Sequence, residues 1–175
     1  MDEKILYLIN HLPHNAALNV FAQAIDFLTS AGIIFVVLFL INFLARQKER
    51  RQLAKVIFFS LAANLIIVEL AIKNLVQRVR PFDALTEVIK VGGEPWGYSF
   101  PSGQTALAFG VAMAYVLIFP KKIETYLIII FAVIVGLVRI YLGDHYPSDV
   151  AAGAVIGSAI GWGIFIINQK LKIKM

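Results

Sequence analysis

Three short stretches of the sequence hold residues that could do chemistry together. In Lys73-Asn-Leu-Val-Gln-Arg-Val-Arg80-Pro81 two cations stand seven positions apart. Seven residues are close to two helical turns, so a continuous helix would put Lys73 and Arg80 on one face, about 10 Å apart. Pro81 would then stop that helix. Glu69 falls on the same stripe, four residues before Lys73, and could hold the lysine by a charge-assisted bond where water is scarce. Snorkelling at a helix end is the plainer account of these cations, and the favoured one for Arg78, which lies off the stripe. The second stretch is Ser99-Phe100-Pro101-Ser102-Gly103-Gln104-Thr105. Ser102 can cap a helix start, and Gly103 lets an anion approach the exposed amides, which outlines a phosphate seat. Such caps are also ordinary before a membrane helix. The third stretch, from Arg139 to Asp149, places His145 and Asp149 four residues apart. A carboxylate accepting from one imidazole nitrogen fixes the tautomer and leaves the other nitrogen as base or nucleophile. The competing account of His145 is a polar anchor at a membrane interface.

The elements that position these residues are membrane helices. Of 175 residues 59% are hydrophobic and 15% charged, with mean hydropathy +0.79, too apolar for an ordinary soluble domain. A bilayer core about 30 Å thick needs roughly twenty helical residues. Five spans fit, near 27–45, 54–74, 102–119, 123–142 and 149–168. Residues 1–29 read as an interfacial helix followed by a helix entering the membrane, and a break at Thr29-Ser30-Ala31-Gly32 would raise the count to six. The whole chain, 1–175, is expected to be one all-α integral membrane bundle. Asp2 and Glu3 stand where a signal peptide would carry positive charge, so the apolar segments are expected to be permanent.

Sixteen Lys plus Arg against eleven Asp plus Glu give a formal +5, but the cations are placed as the positive-inside rule places them. Arg46, Lys48, Arg50, Arg51 and Lys55, then Lys121 and Lys122, then Lys170, Lys172 and Lys174 mark the cytoplasmic ends. Nucleic acid binding is disfavoured accordingly. Lys73, Arg78, Arg80, Lys90 and Arg139 sit at or near the opposite face, against that bias, and need a reason. The absence of Cys excludes disulfides and thiolate chemistry, and three His leave little for a metal site.

Together the three stretches resemble the type 2 phosphatidic acid phosphatase superfamily, which includes undecaprenyl pyrophosphate phosphatases, phosphatidylglycerophosphate phosphatases and vanadium haloperoxidases. The first signature is met by Lys73, Arg80 and Pro81. The second is met by Pro101, Ser102 and Gly103, and the third by Arg139, His145 and Asp149. Two positions depart, with Val138 where the family has Ser and Gln104 where it has His. The resemblance covers 73–149 and the span pattern around it, and implies the family's helical bundle. It further implies a phosphoryl group cradled by Lys73, Arg80, Arg139, Ser102 and Gly103, attacked by His145 with Asp149 behind it, and released from phosphohistidine by water. No metal and no cofactor are expected, since three cations can offset the charge of the transferring group. The implied partner is a membrane lipid phosphate or diphosphate, met on the extracytoplasmic side of a cell membrane. Oligomeric state cannot be read.

The resemblance assigns the missing histidine to general acid catalysis. Gln104 cannot serve there, because an amide has no titratable proton near neutral pH. Either the chain is inactive and binds lipid phosphate, or its leaving group needs little protonation. A phosphate leaving a diphosphate is far less basic than an alkoxide leaving a monoester, so a polyprenyl diphosphate is the preferred substrate, ahead of phosphatidylglycerophosphate or phosphatidic acid. A small-molecule transporter is a distant third.

Other features are weaker. The 82–100 loop reads as irregular, with Trp96, Tyr98 and Phe100 suited to the headgroup level. Gly153, Gly157 and Gly161 permit close helix packing, preferably within one subunit. Gln23, Asp26 and Asn64 have no assignable partner, and His11 and His14 are expected to do nothing chemical.

Overall fold

The computed structural model describes residues 1–173, and every regular element among them is a helix. In chain order these are α1 (Asp2–Asn10), α2 (Ala16–Thr29), a 3-10 turn (Ser30–Gly32), α3 (Ile33–Phe43) and α4 (Lys48–Ala63). A wide π-helical stretch (Asn64–Ile72) continues α4 into α5 (Lys73–Val76), and α6 (Pro81–Ala84), α7 (Gly103–Ile118), α8 (Ile123–Tyr141) and α9 (Pro147–Ile173) follow. Lys174, counted above among the cytoplasmic cations, lies outside the described residues.

Three helical runs are long and apolar enough to cross a membrane: Lys48–Ala84, Ile123–Tyr141 and Pro147–Leu171. α7 is an apolar helix of 16 residues. The expected unbroken span over 27–45 is corrected: α2 and α3 meet at an angle of 55° across the Ser30–Gly32 turn. Gly32 takes φ +74 there, a left-handed conformation that side-chain-bearing residues rarely adopt. Thr29 and Ser30 hydroxyls donate back to the carbonyls of Ile25 and Asp26, satisfying acceptors that the ending helix exposes. At 14 and 11 residues, α2 and α3 are about 21 and 16 Å long, each short of the bilayer core, so the pair makes one broken pass. With that pair, up to four passes meet the length and composition needed among the described residues, and α7 is a shorter apolar helix beside them.

α7 is the centre of the bundle, buried along most of its length by Ala106, Ala108, Val111, Ala112 and Ala114. Its small residues match the glycine stripe of α9. A Cβ at Gly153, Gly157 or Gly161 would lie 2.6, 1.8 and 2.3 Å from the carbonyl oxygens of Ser102, Ala106 and Gly110. The stripe is therefore used inside the subunit, where two backbones touch. On another side Phe35, Leu53, Ile57 and Val135 pack against α7. Ile41, Ile66, Leu70, Val155 and Ile167 face outward and are well exposed, the belt a bilayer would cover.

This topology sorts the ends. The α3–α4 and α7–α8 turns, with their Arg and Lys residues, lie at one end of the bundle. The α5–α6 segment, the start of α7 and the α8–α9 turn lie at the other.

Candidate active site

Lys73, Arg80, Gly103, Gln104, Arg139 and His145 line a single cavity of about 780 Å³. Ser102 and Asp149 are fully buried and tied to each other, the Ser102 amide donating to the Asp149 carbonyl at 3.1 Å. The structure thus gathers every residue expected at the site, though by other local means than those expected. The helix carrying Lys73 ends at Val76, and Gln77 turns left-handed with φ 52. Lys73 and Arg80 therefore do not share a continuous helical face. Pro81 starts α6 rather than stopping a helix, its fixed φ suiting a first helical position.

Arg80 is held on all its nitrogens. Nε donates to the Gly97 carbonyl at 2.8 Å, and the terminal nitrogens reach the carbonyls of Trp96 and Asp144, each at 3.1 Å. One of them also lies 3.3 Å from His145 Nε2. A guanidinium can only donate, so Nε2 is the unprotonated nitrogen of a neutral ring and Nδ1 carries the proton. Burial, reinforced by the Arg139 and Arg80 charges, pushes the His145 imidazole down from 6.5 to about 3. The ring is neutral at physiological pH with its lone pair toward the cations.

Asp149 stands behind His145 but does not grip it: Oδ2 is 3.7 Å from Nδ1. Its carboxylate accepts instead from Ser99 Oγ at 2.5 Å, the Tyr146 amide at 2.9 Å and Arg78 at 2.6 Å. The snorkelling account of Arg78 is overturned by these contacts. Arg78 also pairs with Asp2 at 2.8 Å, donates to Ser148 Oγ at 2.7 Å and lies over the Tyr146 ring. It joins α1, α5–α6 and α9 around the carboxylate.

Arg139, in the last turn of α8, is clamped by Asp144 Oδ2 at 2.7 Å and by Asp26 of α2. Lys90 holds the other oxygen of Asp144 at 2.7 Å, which accounts for one cation at this face. Asp26 thereby acquires the partner its sequence position did not suggest. Asn64 acquires one too, donating to the Gly103 carbonyl at 3.4 Å. Ser102 holds the N-cap position of α7 but makes no side-chain cap bond, and its hydroxyl pairs with Thr105 Oγ1 at 2.8 Å.

Gln104 contacts Asp26 at 3.3 Å and Ser30 at 3.5 Å through its amide nitrogen. Gln104 Oε1, Arg139 Nε and His145 Nδ1 are buried polar atoms without a hydrogen-bond partner. Three residues at one cavity thus keep unmet bonding capacity, the condition a polar ligand relieves. Glu69, also lining the cavity, bonds Lys73 Nζ at 2.8 Å, as its spacing suggested.

Asp144 and Ser99 lie inside the stretches singled out, but nothing in their spacing marks the bonds they make. For Arg78 the signal is a cation at the face where cations are scarce. His11 and His14 lie apart from the cavity, His11 bonding the Glu87 carbonyl and His14 that of Asn10.

Fold and site define a polytopic, all-helical membrane protein whose pocket gathers cations around a neutral histidine. The pattern describing the PAP2 superfamily matches residues 53–173, and the chain belongs to that superfamily. Among curated proteins it is similar to the lipid A 4'-phosphatase of Bacteroides thetaiotaomicron, at 33% identity over 97 residues, covering 54% of this chain and 43% of that protein. It is also similar to an undecaprenyl-diphosphatase of Sulfolobus acidocaldarius, at 36% identity over 85 residues, covering 49% and 41%. The chain spans less than half the length of these relatives. The crystal structure of Aquifex aeolicus LpxE superposes with a TM-score of 0.75 at 30% identity, over 97% of this chain and 94% of that one.

Proposed function

We propose that the chain is a metal-independent lipid phosphatase that removes phosphate from a polyprenyl diphosphate, undecaprenyl diphosphate by preference, at the extracytoplasmic face. The observation that carries this reading is a cavity with two unlike kinds of lining. Lys73, Arg80, Arg139 and His145 supply charged and polar groups, while Val36, Phe39, Phe58, Leu61 and Leu65 of α3, α4 and the π-helical stretch supply hydrocarbon. A phosphorylated headgroup on a hydrocarbon chain needs both, since charge is costly to bury unpaired and hydrocarbon gains by leaving water. The basic turns at the far end of the bundle support a cytoplasmic position for that end, and with it a site at the opposite face.

In this reading Lys73, Arg80 and Arg139 take the equatorial oxygens of the terminal phosphoryl group, with Gly103 at the start of α7. Ser102, expected beside them, is buried with its amide on the Asp149 carbonyl and its hydroxyl on Thr105, and holds the start of α7 instead. The lone pair on His145 Nε2 attacks phosphorus, the N–P bond forms, and the bridging oxygen leaves with its electron pair. Asp149 supports the positive charge that the ring then bears. Water afterwards cleaves the N–P bond and frees phosphate.

Gln104 favours a leaving group that departs without a proton, hence a diphosphate. The test is phosphate release from undecaprenyl diphosphate and phosphatidic acid, beside Gln104→His. The diphosphate should be the better substrate, and restoring the histidine should raise the monoester rate by about 10²-fold or more while changing the diphosphate rate little. Equal effects on both would refute the preference. Gln104 also supports a second reading, a lipid-phosphate binder without turnover. Failure to trap a labelled phosphohistidine in both forms of the chain would favour it.

A further inference from the structure

Hydrolysis of a phosphohistidine requires the attacking water to lose a proton, whatever the leaving group was. Gln104 can accept none. One carboxylate in the cavity has no part in the reading above, and a negative charge beside a phosphate seat opposes substrate binding.

That carboxylate is Glu69, and its position has a structural cause. In an α-helix, residues five apart point about 140° away from one another, whereas a π-helix bonds i to i+5 and winds more widely, which narrows that angle. The π-helical stretch from Asn64 to Ile72 therefore turns Asn64 and Glu69 toward the same neighbour. Asn64 donates to the Gly103 carbonyl at 3.4 Å. Glu69 Oε1 lies so close to Gly103 that a Cβ there would be 1.8 Å from it. Only glycine at 103 admits this approach. Glu69 Oε2 is held by Lys73 at 2.8 Å. One oxygen thus rests on a phosphate-binding lysine and the other at the start of α7, next in sequence to Gln104. Lys73 with Arg80, Arg139 and His145 of the same cavity are the charged and titratable groups around it.

We propose, resting on the lipid phosphatase reading, that Glu69 is the general base for hydrolysis of the phosphohistidine, a role that Gln104 cannot take. As the water oxygen bonds to phosphorus, the N–P bond breaks and its electron pair returns to His145 Nε2. The water proton passes to the Glu69 carboxylate. The products are hydrogen phosphate, a neutral imidazole still protonated on Nδ1, and a protonated Glu69 that releases its proton to solvent. Total charge is conserved. The paired Lys73 keeps the carboxylate in place while the phosphoryl group is on the histidine.

The experiment uses the full chain in nanodiscs, with undecaprenyl diphosphate radiolabelled in its terminal phosphate. Glu69→Gln should lower kcat by about 10²- to 10⁴-fold, leave KM unchanged or lower it by removing an anion from the seat, and raise the acid-labile phosphohistidine above its wild-type level. In Glu69→Ala, added formate should restore at least part of the lost rate by supplying a carboxylate. A purely structural role would slow phosphorylation and hydrolysis alike and would show neither accumulation nor rescue. An active wild type whose phosphohistidine level is unmoved by Glu69→Gln overturns the role of Glu69 alone. A wild type that neither releases phosphate nor forms phosphohistidine overturns the phosphatase reading, and the role of Glu69 with it.

Discussion

Asp149, behind His145, accepts from Ser99, Arg78 and the Tyr146 amide at 2.5, 2.6 and 2.9 Å. Gln104, on α7, has contacts at 3.3 and 3.5 Å and a buried oxygen without a partner. One side of the pocket is thus over-determined, and the other is loosely held. The short bonds fix the Asp149 carboxylate 3.7 Å behind the His145 ring, while the ring itself meets Arg80 through Nε2 at 3.3 Å and keeps Nδ1 without a partner. In the proposed reading, the contrast separates the part of the site that would attack phosphorus from the part where Gln104 can carry no proton.

The contrast is broken most directly at His145. His145→Ala is expected to reduce phosphate release from undecaprenyl diphosphate on the order of 10⁵-fold and to abolish labelled phosphohistidine, and a residual rate near wild type would remove the attacking role. The next largest effect is expected at Arg78, which does not line the cavity yet fixes the carboxylate behind the ring. Arg78→Met should lower kcat about 100-fold with KM little changed, as expected of a small misplacement of the attacking group. A rise in KM without a fall in kcat would mean that Arg78 binds substrate instead.

The pH response sharpens the same side. His145 falls from 6.5 to about 3 on folding, so between those values the unfolded chain binds more protons than the folded one and stability rises with pH. The contribution of the neutral ring is complete above about pH 6.5 and is lost as pH falls toward 3, with a slope of at most about 1.4 kcal/mol per pH unit. Thermal unfolding in detergent over this window should be flatter for His145→Gln than for the wild type. Parallel curves would contradict the burial of a neutral ring. The smallest effect is expected on the loose side, where Gln104→Ala should change diphosphate turnover by less than about tenfold, below the usual range for losing a proton carrier. A loss comparable to that at Arg78 would show Gln104 to be as tightly employed as Asp149.

Much of this was legible from residue type and spacing. Lys73, Arg80, Ser102, Gly103, Arg139, His145 and Asp149 fall into three stretches that the fold brings together, and the Glu69–Lys73 pair follows from a spacing of four. The local geometry was less legible. The helix ends at Gln77 with neither Gly nor Pro at that position to signal it, so Lys73 and Arg80 were expected on one continuous face. Likewise, no motif marks the π-helical stretch over Asn64–Ile72, which aims Glu69 at Gly103. The partners of Arg78 and Arg139 were hidden because Asp149 and Asp26 lie 71 and 113 positions away in the chain.

By itself, then, the sequence determined the solvent the chain folds in and the chemical inventory of its pocket. Hydropathy and side-chain chemistry are properties of single residues and short windows, and they survive any arrangement of the helices. Tertiary structure alone decided which carboxylate meets which cation, which imidazole nitrogen stays bare and where Glu69 rests. Those outcomes depend on how close the backbones of α7 and α9 approach and on where two helices break, and such distances arise only when the whole bundle has packed.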